Sequence, residues 1–74
     1  MPPEDDGRSR CRLTELLADR NMTLTELAAR VDISLVNLSV LKNNRARAIR
    51  FSTLTAICDA LACEVGELLV VAPD

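Results

Sequence analysis

The sequence predicts an all-α fold: one compact domain of five short helices, the second and third meeting across a tight turn. Three observations carry this. The chain has 74 residues, near the lower limit for a self-sufficient core. Hydrophobic residues make up 49% of it, yet Phe51 is the sole aromatic, so the core is built from Leu, Ile, Val and Ala. Leucines recur at helical spacing along most of the chain, and a small aliphatic core of that kind favours helix packed on helix.

Residues 1–9 hold Pro2, Pro3, Glu4, Asp5, Asp6 and Gly7 and read as a flexible arm. The first helix is expected from about Arg10 to Arg20, where Leu13, Leu16 and Leu17 form an apolar stripe. Asn21 closes it, and Met22 packs inward ahead of the next helix. The second helix opens with Thr23-Leu24-Thr25-Glu26, which fits a capping box: the Thr23 hydroxyl accepts from a free backbone N–H and Glu26 reaches back. Leu27, Ala28 and Val31 form its buried side. Asp32 occupies the turn, being one of the few residues other than Gly that tolerates positive φ, and Ile33 plugs the core.

Ser34 is the expected N-cap of the third helix. Leu38 and Leu41 face inward. This leaves Leu35, Val36, Asn37, Ser39, Val40 and Lys42 on the outer and flanking faces. Asn43 and Asn44 end the helix, since Asn accepts the left-handed conformation of a C-terminal cap. A basic loop follows, from Arg45 through Arg47 to Arg50. The fourth helix is expected over about Ser52 to Leu61, capped by Ser52 or Thr53, with Leu54, Ile57, Cys58 and Leu61 inward. The fifth is short, about Val65 to Leu69, with Glu64 and Glu67 on a solvated face. Val70 and Val71 continue as an extended tail, either frayed or pairing across a dimer. The domain is thus bounded at residues 10–71, with residues 72–74 as a tail.

The formal net charge of −2 disguises an uneven distribution. Between Ile33 and Cys58 there is no Asp or Glu, while Lys42, Arg45, Arg47 and Arg50 fall in that span. Such a cationic face binds phosphate despite a negative total; the plain alternative is a solvated loop with scattered arginines. Three cysteines, Cys11, Cys58 and Cys63, with no His, offer neither a paired disulfide framework nor a zinc knuckle. Cys58 reads as a small core side chain, and Cys11 and Cys63 as free thiols of a reducing cytosol, a redox-sensing pair being the alternative. No apolar run approaches membrane-spanning length and no signal-peptide h-region is present, so a cytoplasmic protein is expected.

Taken together, LTELAARVDIS, LSVLKNN and IRFSTLTAICDALACEVGELL resemble the Cro/C1-type (lambda-repressor-like, XRE) helix-turn-helix family, in its branch of small single-domain bacterial regulators. The resemblance spans about Cys11 to Leu69. It implies a lambda-repressor-like DNA-binding domain whose third helix enters the major groove of double-stranded DNA, in a transcriptional regulator that binds as a homodimer. The groove-facing positions fall on Leu35, Val36, Ser39 and Val40, with Ser34 and Asn37 at the groove edge. Phosphate-contacting positions fall on Asn43 and Arg45, with Thr23 and Leu24 facing the backbone. Lys42, Arg47 and Arg50 extend the cationic surface by charge and location.

Asp32 and Asn44 stand where the family usually has Gly. A third departure bears on function: Leu35, Val36 and Val40 cannot hydrogen-bond base edges and offer only apolar contact to thymine methyl groups, leaving Asn37 and Ser39 as the polar readers. The competing reading is a protein-interaction or antitoxin module that uses the apolar face of the third helix. An enzyme is not expected: there is no His, no Gly-rich phosphate loop and no Ser or Cys with a candidate base. No metal or cofactor is called for.

Overall fold

The computed structural model describes residues 8–73. Its elements run β1 (Ser9–Cys11), α1 (Leu13–Asp19), α2 (Leu24–Val31), α3 (Leu35–Lys42), α4 (Phe51–Leu61), α5 (Val65–Leu68) and β2 (Leu69–Val71). Five helices enclose the core as the sequence predicts. The architecture is mostly helical but not strictly all-α, because β1 and β2 pair antiparallel, with Ser9 opposite Val71, Arg10 opposite Val70 and Cys11 opposite Leu69.

The core is aliphatic. Leu13, Leu16 and Leu17 of α1, Leu27 of α2, Leu38 and Leu41 of α3, Leu54, Ile57, Cys58 and Leu61 of α4 and Leu68 of α5 are all buried. Fully burying each Leu or Ile contributes roughly 1.5–3 kcal/mol relative to exposure. Met22, Ala28, Val31 and Ile33, expected inward, are half-buried and pack against this cluster. Helix α2 lies across both α3 and α4, which fixes the angle at which α3 is presented.

The capping chemistry of the central elements follows the sequence. The Thr23 hydroxyl accepts from the Glu26 N–H at 3.1 Å, and the Glu26 carboxylate accepts from the Thr23 N–H at 3.3 Å. The Ser34 hydroxyl accepts from the Asn37 N–H at 3.1 Å. The left-handed positions include Asn21 (φ 52°), Asp32 (φ 55°) and Asn44 (φ 61°), where polar side chains make that conformation tolerable. Ala62 (φ 52°) does the same at the end of α4 with no such help.

The ends of several elements differ from expectation. Helix α1 begins at Leu13 instead of Arg10, because Arg10 and Cys11 are drawn into pairing with Val70 and Leu69. Ser9, at the end of the expected arm, belongs to β1; residues 1–7 lie outside the described residues. Val70 and Val71 are not a frayed tail: they belong to the strand that closes on β1 within the same chain, and the Ala72 N–H extends the pairing to the Arg8 carbonyl at 2.7 Å. Asp74, at the end of the expected tail, lies outside the described residues. Helix α4 starts at Phe51 with Arg50 as N-cap, so neither Ser52 nor Thr53 caps it; both lie inside the first turn. Helix α5 stops at Leu68, since Leu69 is already extended. The Glu67 carboxylate accepts from the Glu64 N–H at 3.0 Å, so this acid closes the start of α5 and does more than face solvent.

Candidate nucleic-acid interface

Helix α3 projects its outer face because its inner one is taken up by Leu38 and Leu41. Val36 is 71% exposed, Leu35 46% and Val40 38%, which leaves an apolar surface open on this face of α3 among the described residues. Asn37 is exposed as well, and Ser39 is half-buried.

The chain then reverses at Asn44. The Arg45 N–H reaches back to the Val40 carbonyl at 2.9 Å and the Asn44 N–H to that of Leu41 at 3.1 Å, so the loop leaves α3 in a fixed direction. The Asn44 side chain secures the same point from outside, accepting from the Cys11 N–H at 2.6 Å. Between the reversal and α4, residues 45–50 form an arch that faces α3 across a shared groove.

This arch and α3 enclose an open groove of about 870 Å³. Ser34, Asn37 and Val40 line it from α3, Arg45, Arg47 and Arg50 from the arch, and Ser52, Thr53 and Ala56 from α4; Asp32 is the acid at its rim. The structure therefore gathers six of the expected contact residues onto one concavity. Leu35 and Val36 stand outside it on the protruding face of α3, and Thr23, Ser39, Lys42 and Asn43 do not line it.

The polar groups in the second set are partly committed to the fold. Thr23 is held by its capping box, its hydroxyl 3.2 Å from the Glu26 carboxylate. The Asn43 amide donates to the Ser39 carbonyl at 2.9 Å and to its hydroxyl at 3.3 Å, which ties both side chains along the helix. Lys42 is half-buried. Arg45 and Arg50 are exposed, and neither has a carboxylate partner among the described residues.

One feature of the groove is not legible as a motif. With Arg50 as N-cap and no side chain satisfying it, the first turn of α4 presents its free N–H groups where Ser52 and Thr53 meet the groove. Uncapped amides at a helix N-terminus carry partial positive charge and add to the guanidinium groups there. Reading Ser52 and Thr53 as caps conceals this. Phe51, beside Arg50, is 85% exposed, an unusual position for the sole aromatic side chain.

Among the described residues the groove gathers three guanidinium groups, an uncapped helix start and one acid, which suits an anionic polymer. No group of three or more His, Cys, Asp or Glu side chains is arranged to hold a metal among the described residues. No helix among them is long and apolar enough to cross a membrane.

Comparison with known proteins agrees with this chemistry. Residues 12–74 match the family model described as a Cro/C1-type HTH DNA-binding domain. The chain is 57% identical over 54 residues to YozG of Bacillus subtilis (strain 168), described as an uncharacterized HTH-type transcriptional regulator; the match takes in 73% of this chain and 64% of that protein, so the chain spans less than two thirds of that relative. The fold is similar to the crystal structure of the transcriptional regulator VanUg, with a TM-score of 0.74 and 31% identity over 92% of this chain and 91% of that one.

Proposed function

Because the chain belongs to the Cro/C1-type helix-turn-helix DNA-binding family, we propose that it is a double-stranded DNA-binding transcriptional regulator that seats α3 in the major groove. Residues 10–71 form the binding domain, in a cytoplasmic protein without catalytic activity. It binds as a homodimer on two half-sites about one helical turn apart. Arg45, Arg47 and Arg50 hold the phosphates, with Lys42, Asn43, Thr23 and the start of α4 beside them. Leu35, Val36 and Val40 meet thymine methyl groups, and Asn37 and Ser39, with Ser34 at the edge, supply the polar contacts.

The observation that carries this reading is the single groove shared by α3 and the arginine arch. Phosphate contacts supply affinity, and the apolar readers supply little discrimination, so DNA shape carries part of the specificity. The test is a mobility-shift titration of a random double-stranded DNA pool at low salt. Replacing Arg45, Arg47 and Arg50 together by Ala is expected to weaken binding strongly; unchanged binding removes this mechanism.

A second reading rests on the exposure of Val36, Leu35 and Val40, which would suit a protein partner, as in an antitoxin. Replacing Leu35 and Val36 by Ser separates the two. Loss of a protein partner with intact DNA affinity favours the interaction module; altered sequence preference favours DNA reading.

A further inference from the structure

Helices α1, α3 and α4 end in the same kind of turn. A residue of positive φ follows the last helical turn, Asn21, Asn44 and Ala62 respectively, and the next amide reaches back. The Met22 N–H bonds the Leu17 carbonyl at 3.0 Å, that of Arg45 the Val40 carbonyl at 2.9 Å, and that of Cys63 the Cys58 carbonyl at 3.0 Å. In α4 the Ala62 N–H also bonds the Asp59 carbonyl at 3.4 Å, which completes a Schellman motif. That geometry folds the residue beyond the turn over the one that ends the bond, and an apolar side-chain contact commonly accompanies it. In α1 the pair is Leu17 with Met22. In α4 it is Cys58 with Cys63, so the helix-ending turn itself builds a dithiol.

The two thiols are not equivalent. Cys58 is buried, and Cys63 is half-buried and within reach of solvent. Burial, reinforced by the neighbouring Cys63 thiol, pushes the Cys58 thiol up to about 11, so it keeps its proton at neutral pH. A disulfide needs Cα atoms roughly 4.4–6.8 Å apart. The Cys63 N–H bonded to the Cys58 carbonyl at 3.0 Å limits how far the two Cα atoms can separate, and the two thiols are near enough to hydrogen-bond.

We propose that Cys58 and Cys63 are a reversible dithiol–disulfide site, oxidised by hydrogen peroxide, in which Cys63 reacts first and Cys58 resolves it. The Cys63 sulfur, as thiolate, attacks the peroxide oxygen; an S–O bond forms, the O–O bond breaks, and hydroxide leaves and is protonated to water. The Cys58 sulfur then attacks the Cys63 sulfur. The S–S bond forms as the S–O bond breaks, and the second hydroxide takes up the Cys58 proton. Two thiols lose two electrons, the peroxide gains them, and two waters are released. A low-molecular-weight thiol reverses the change by thiol–disulfide exchange.

The test uses the full chain with Cys11→Ser, leaving the pair as its two thiols. The reduced protein is treated with stoichiometric hydrogen peroxide, then analysed by thiol titration, intact mass and non-reducing electrophoresis. Both thiols are expected to disappear together, with a mass lower by two hydrogens and the chain still monomeric on the gel. Cleavage before Asp59 should leave the two pieces joined until dithiothreitol is added. Adding Cys63→Ser, at the half-exposed position, should leave Cys58 titratable after the same treatment and the fold intact by circular dichroism. Two titratable thiols after peroxide, oxidation of Cys63 to sulfinic acid without a cross-link, or a disulfide between chains would each overturn the proposal.

Discussion

The side-chain oxygen of Asn44 accepts a hydrogen bond from the backbone N–H of Cys11 at 2.6 Å, joining the end of α3 to the first strand. Asn44 meets two demands at once, since it also sits at φ 61°. The two are separable. Asn44→Gly keeps the conformation and loses the bond, an expected cost of about 1 kcal/mol. Asn44→Ala loses the bond and strains the backbone, adding about 1 kcal/mol more. Urea unfolding of both variants checks the order, and equal midpoints would show that conformation is not a factor.

Ala62 offers the opposite case. It holds φ 52° without a side chain suited to it. The Leu61 and Ala62 carbonyls around it accept from the Arg20 guanidinium at 2.7 and 3.4 Å, which anchors the turn against the end of α1. Ala62→Gly relieves the strain at a cost in chain entropy, for a net gain of about 0.5–1 kcal/mol. The expected readout is a higher urea midpoint with an unchanged slope.

The arginine arch has an electrolyte signature. If Lys42, Arg45, Arg47 and Arg50 each neutralise one phosphate, the log–log dependence of DNA affinity on salt has a slope of roughly −3.6 per monomer. Substituting the three arginines by Ala should bring it to roughly −0.9. Titrations across a series of salt concentrations measure both, and a slope unaffected by the substitutions would place the phosphate contacts elsewhere.

The buried thiol of Cys58 links stability to alkaline pH. Its value rises from 9.0 to about 11 on folding, chiefly through burial, so the native state holds the proton more tightly than the unfolded chain. The resulting stabilisation is fully present below about pH 9 and is lost as pH rises through about 11. Under reducing conditions the wild type should lose stability across that window more steeply than Cys58→Ala, as read from urea midpoints at each pH.

What the sequence discloses and what it hides divide along physical lines. The Thr23 and Ser34 caps and the left-handed Asn21, Asp32 and Asn44 are legible because each is a local bargain between a side chain and its own backbone. The ribbon is not: Ser9-Arg10-Cys11 carries no alternation of its own and becomes a strand only because Leu69 to Val71 lie opposite. The start of α4 misleads because Ser52 and Thr53 are better caps in isolation than Arg50. Ala62 gives no signal at all, being a residue that ordinarily avoids the conformation it takes. At the candidate site the charges are evident from composition. Their convergence on Ser34, Asn37 and Val40 depends on the reversal at Asn44, and the dithiol depends on a turn that Ala62 conceals.

The pairing of β1 with β2 also sets an order of events in time. Joining Cys11 to Leu69 closes a loop of nearly the whole chain, whereas each helix and its caps form from near neighbours. The helices are therefore expected to assemble first and the ribbon to zip last. Unfolding starts by the reverse step, and substitutions in the ribbon should speed unfolding while hardly slowing folding. As the strands part, Cys11 withdraws from Asn44. The end of α3 then keeps only its own backbone bonds, from Arg45 to Val40 and from Asn44 to Leu41, so this corner loses its outside anchor while the helical core is still intact.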